Sequence, residues 1–127
     1  MSTKNKILDA AELLFADKGF NGTSLREITS LGEVNLAAVN YHFGSKKELI
    51  KAVMSRYMNA LSPRLESALS ALCQEDVQPS LIEVFSAFIE PLLYLNEFKE
   101  NGTSTFLQLL GRGYTDSQGF LRWFLTT

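Results

Sequence analysis

At 127 residues, with 46% hydrophobic and 20% charged side chains, the chain has the balance of a folded globular protein and is long enough for a core without disulfides. One cysteine (Cys73) and one histidine (His42) exclude an internal disulfide framework, a cysteine-pair zinc site and a multi-histidine metal cluster. The net charge of −2 does not by itself suggest a nucleic acid.

The charge is unevenly shared. Residues 1–60 hold eight basic and six acidic side chains, and residues 61–127 hold four and eight. Nine of the fourteen aromatic residues lie in that acidic second part. A basic amino-terminal half beside an acidic, aromatic-rich remainder hints at a nucleic-acid contact on one side. The start of the chain has no apolar run of signal-peptide type, and no stretch reaches membrane-spanning length, so the reading is a cytoplasmic protein without membrane contact.

Helical periodicity dominates and no alternating pattern competes with it, which gives an all-α fold. Ile7, Ala11, Leu14 and Phe15 lie on one face of a first helix that ends at Gly19. After the turn-forming residues 20–23, Ser24-Leu25-Arg26-Glu27 has capping-box spacing and starts a short second helix. Gly32 follows, Asn35 supplies a new cap, and a third helix is predicted over residues 36–43 with Val39 and Phe43 facing inward. Ser45-Lys46-Lys47-Glu48 is a second capping box and opens a longer helix through Leu49, Ile50, Val53, Met54 and Tyr57. Pro63 should kink or restart that helix. A polar linker over residues 74–80 leads to an apolar helix over residues 81–95, with a kink expected at Pro91. Further helices are predicted over residues 103–110 and 118–125, with Gly111-Arg112-Gly113 marking a helix end.

Residues 24–43 are helix, glycine-containing turn, helix, which is the footprint of a helix-turn-helix whose second helix reads the major groove. In that helix Leu36, Ala37 and Ala38 allow close approach to bases, and Asn40 has the donor–acceptor pair that matches adenine. Tyr41 offers a hydroxyl on a stiff arm. With so little charge on this helix, phosphate contacts must come from around it, with Thr23, Ser24, Arg26 and Lys46 as candidates.

Gly19-Phe20-x-x-Thr23-Ser24-Leu25-Arg26-Glu27-Ile28, Val34-Asn35 and Tyr41-His42-Phe43-Gly44-Ser45-Lys46 together resemble the DNA-binding domain of TetR/AcrR-type transcriptional regulators over about residues 5–55. The resemblance implies a three-helix DNA-binding head followed by a helical regulatory domain that binds a small molecule and forms a homodimer. It places Leu36, Ala37, Ala38, Asn40 and Tyr41 toward bases of double-stranded operator DNA, and Thr23, Ser24, Arg26, His42 and Lys46 toward phosphates. It also implies a repressor released by an effector. Leu36-Ala37-Ala38 departs from the polar residue, glycine and threonine of many members, and Asn40 stands where many have tyrosine, so the operator does not transfer.

The expected division is a head over residues 1–47 and a ligand-binding and dimerisation domain over residues 48–127, shortened or truncated at an apolar end (Phe120 to Leu125). A lipophilic or acyl effector would meet Phe85, Phe88, Leu92, Phe106, Leu110 and Arg112. No cofactor or metal is expected, and no nucleophile, base and orienter set suggests an enzyme. The competing reading is an all-α interaction or adaptor module that does not bind DNA.

Overall fold

In the computed structural model the described residues are 2–74 and 78–116, and they form six helices. These are α1 (Thr3–Lys18), α2 (Leu25–Gly32), α3 (Leu36–His42), α4 (Lys46–Leu72), α5 (Leu81–Phe98) and α6 (Gly102–Asp116). Every described element is helical, as the periodicity predicts. The helix predicted over residues 118–125, and the apolar end with it, lies outside the described residues.

The chain divides into two compact units. Of the described residues, one is built on those up to Ser55 together with those from Leu107 to Asp116, and the other on those within Arg56–Phe106. This division differs from the expected boundary at residue 47, because α4 is one uninterrupted helix and the change of unit falls within it.

In the first unit α1, α2 and α3 pack on one another. Ile7, Ala11 and Phe15 of α1, Ile28 of α2, Val39 of α3 and Leu49, Val53 and Met54 of α4 are buried. Local chemistry sets the helix ends. Gly19 closes α1 at φ +86, a left-handed value that suits glycine, and its N–H donates to Phe15 O at 2.9 Å. Ser24 and Glu27 complete the predicted capping box, the Glu27 amide donating to Ser24 Oγ at 3.1 Å and the Ser24 amide to Glu27 Oε1 at 3.0 Å. Asn35 caps α3 by accepting the Ala38 amide at 2.8 Å, and Ser45 accepts the Glu48 amide at 3.2 Å at the start of α4.

In the second unit the fully buried Tyr57 ring contacts Phe98 edge-on and Phe106 at a tilt, with both centroids 5.7 Å away. At the α5–α6 corner Asn101 takes a left-handed conformation at φ +56. Gly102 follows so close to the Leu95 carbonyl that a Cβ would collide with it. The Thr103 hydroxyl donates to Leu92 O, and its amide donates to Asn96 Oδ1 at 3.2 Å.

Two local expectations are corrected. Pro63 neither ends nor restarts α4. Its missing N–H removes one helical bond at an exposed position, where water can serve the freed carbonyl. The inward series Tyr57, Leu61, Leu65 and Leu69, spaced by four, continues the helix on both sides. Helix α5 holds the buried Pro91 inside it, as the apolar stretch predicts. Gly111-Arg112-Gly113 lies inside α6 rather than at its end, because neither glycine is required to take a left-handed turn there.

Candidate nucleic-acid interface

Helix α3 is short, and its two faces differ. Val39 is fully buried and anchors one side. Leu36 is 50% exposed and Tyr41 85% exposed, and Ala37 and Asn40 are also exposed, with Ala38 half-buried between the faces. Four of the five predicted base-facing side chains are therefore presented to solvent from a helix held in place by its own core residue. Large exposed apolar groups beside an amide side chain suit the major groove, where a thymine methyl and an adenine edge lie close together. The Tyr41 ring contacts His42 edge-on at 5.1 Å, which extends this surface along the end of the helix.

Around α3, Ser24 and Arg26 are exposed at the start of α2, His42 is exposed at the end of α3, and Lys46 is half-buried in the first turn of α4. Two helix starts, those of α2 and the 27-residue α4, thus carry phosphate-type donors. Thr23 is a correction to the predicted set. It is 1% exposed, and its hydroxyl donates to Gly19 O at 2.8 Å and to Leu14 O at 3.2 Å. A hydroxyl committed to two carbonyls in the turn fastens α2 to the end of α1 and does not reach a phosphate.

Comparison with known proteins matches residues 7–53 to the bacterial regulatory proteins of the tetR family. The amino-terminal segment is a tetR-family domain. The chain is 38% identical over 84 residues to the probable HTH-type transcriptional regulator YttP of Bacillus subtilis, a match covering 66% of this chain and 41% of that protein. It is 44% identical over 46 residues to the biofilm operon icaADBC HTH-type negative transcriptional regulator IcaR of Staphylococcus aureus, covering 36% of this chain and 25% of that protein. The chain thus spans well under half the length of these relatives.

The first unit also gathers residues that sequence spacing did not single out. Lys4 of α1 and Lys51 of α4 line a cleft of about 290 Å³ with His42, Phe43 and Glu48. They are 47 positions apart in the chain, and no local motif links them. Their shared place beside the end of α3 arises only from the packing of three helices.

The residues expected to meet an effector have other surroundings. Phe85 and Phe88 are 57% and 47% exposed on α5, and Phe106 is buried against Tyr57. The open cleft of the second unit, about 530 Å³, is lined instead by Arg64, Ile89, Glu90, Leu93, Tyr94 and neighbouring α5 residues. There Arg64 pairs with Glu90 at 2.8 Å and lies 3.6 Å over the Tyr94 ring. Arg112 is corrected as an anchor for an acidic ligand, because its guanidinium donates to the Ala16 and Asp17 carbonyls. Leu110 belongs to the first unit and is half-buried. Among the described residues no group of His, Cys, Asp and Glu could hold a metal, and no helix is long and apolar enough to cross a membrane.

Proposed function

We propose that this chain is a sequence-specific regulator of transcription that binds double-stranded operator DNA through α3. The observation that carries the proposal is the exposed set Leu36, Ala37, Asn40 and Tyr41 on a helix pinned by buried Val39, inside a segment that matches the tetR family. Base contacts come from α3, and phosphate contacts come from Ser24, Arg26, His42 and Lys46. IcaR is a negative transcriptional regulator by name, which favours a repressor. Helix-turn-helix geometry favours a homodimer, because two reading helices must reach successive major grooves roughly 34–36 Å apart. Release by a lipophilic or acyl effector completes the reading. The apolar surface that α5 exposes at Ile82, Phe85, Ile89 and Leu93 supports it.

Selection from a random-sequence duplex library tests the function directly. The expected result is enrichment of a two-fold symmetric motif, bound with affinity that falls steeply as salt rises. No enrichment, together with no duplex affinity at low salt, would overturn the proposal in favour of an interaction module.

A further inference from the structure

The last turn of a helix leaves carbonyls without helical partners. In α1 one of them, Phe15 O, is met by the Gly19 amide. The next two are met by a side chain from far along the chain. Arg112 of α6 donates through Nη2 to Asp17 O at 2.7 Å and through Nε to Ala16 O at 3.4 Å, a separation of 95 residues in the first case and 96 in the second. All three residues belong to the first unit. A guanidinium suits this place, because its planar fork reaches two acceptors and its positive charge sits at the negative end of the helix dipole.

The same short stretch of α1 holds α2. The Thr23 hydroxyl donates to Leu14 O and Gly19 O, and Lys18 pairs with Glu27, the residue that closes the α2 capping box. Residues 14–19 are therefore gripped by α2 through Thr23 and Glu27, and by α6 through Arg112. We propose that Arg112 is a positioning residue for DNA reading. It caps α1 from α6, fixes the α1–α2 corner and so holds the α2–α3 pair in register for the groove. This rests on the DNA-binding function proposed above. Base readout tolerates little displacement of its supporting helix, so a slackened corner weakens specific contacts first.

The test uses the full chain and a duplex selected from a random library by the wild-type protein, with a scrambled duplex as control. Affinity is read by fluorescence anisotropy over a range of salt concentrations, and amide exchange is read without DNA. Arg112→Ala is expected to bind the selected duplex about tenfold more weakly, as for loss of a charge-assisted hydrogen bond. Binding to the scrambled duplex and the salt slope should stay unchanged, and amides over residues 19–28 should exchange faster. Arg112→Lys, which keeps the charge but not the fork, should recover part of the loss, and Arg64→Ala should match wild type. Wild-type affinity in Arg112→Ala would overturn the proposal. A weaker affinity for both duplexes with a salt slope lower by about one would also overturn it, because that marks a direct phosphate contact. Should Arg112→Ala fail to fold, Arg112→Lys decides: several-fold weaker specific binding at an unchanged slope supports the role, and wild-type binding overturns it. If wild type enriches no duplex, DNA reading itself fails, while faster exchange in Arg112→Ala still shows the corner to depend on Arg112.

Discussion

The Lys18 ammonium meets the Glu27 carboxylate across the α1–α2 corner, and that carboxylate also accepts the Ser24 amide at 3.0 Å. One side chain thus joins two helices and caps the second. The hydrogen bond from Lys18, and after it that from the Ser24 backbone, holds the Glu27 carboxyl below its ordinary value of 4.5. Because the folded value lies below the unfolded one, the stabilisation is complete above the unfolded value and fades as pH falls through the folded one. Glutamine at this position keeps the capping box and removes the ion pair. Thermal melts from pH 7 to pH 3 should therefore show Glu27→Gln less stable than wild type at neutral pH, with the difference shrinking toward the acid end. Parallel curves across the range would refute the linkage.

Asn40 is the amide side chain placed on the exposed face of α3. Asn40→Ala should relax base preference at one position of each half-site, costing about 1–3 kcal/mol there and leaving other positions unchanged. Competition among single-base variants of the selected duplex gives the measurement.

Lys46 stands in the first turn of α4 rather than on α3. Lys46→Ala should weaken binding to all sequences alike and lower the salt slope by about one. A change of sequence preference with an unaltered slope would put Lys46 at a base instead of a phosphate.

The buried hydroxyl of Thr23 leads to the opposite expectation. Thr23→Val preserves the shape of the side chain but removes the buried hydroxyl that bonds the Gly19 and Leu14 carbonyls, so it should destabilise the fold by about 1–3 kcal/mol. Denaturant titration measures this loss. The salt slope for DNA should not move. A drop of about one would restore Thr23 to the phosphate set.

The legible parts of the fold were those written in neighbouring residues. Ser24 with Glu27, Asn35 before α3 and Gly19 after α1 each act within a few positions, and the structure places each cap where its spacing puts it. The exposed face of α3 was legible for the same reason, since Val39 marks its buried side; Phe43, expected to face inward with it, is the half-buried residue that closes the helix. Thr23 shows where this kind of reading stops. A threonine before a helix suits a phosphate contact and an internal clasp equally well, and only the nearness of Leu14 O and Gly19 O decides between them. Pro63 was read by its local cost, whereas the apolar series on both sides of it outweighs the single missing bond. Arg112, Lys4 and Lys51 acquire their neighbours through packing over long separations, which no local pattern announces. Phe85 and Phe88 show the reverse limit, since an apolar residue type does not say whether it is covered.

Tyr41 is 85% exposed, whereas Tyr57 is wholly enclosed by the second unit's aromatic cluster and Tyr94 is half-buried under Arg64. Reagents that nitrate or iodinate phenol rings would therefore reach Tyr41 ahead of these two. The proposed reading helix carries its own chemical footprint: a duplex seated on α3 would shield that ring, and the degree of labelling at one tyrosine would report occupancy of the proposed DNA surface.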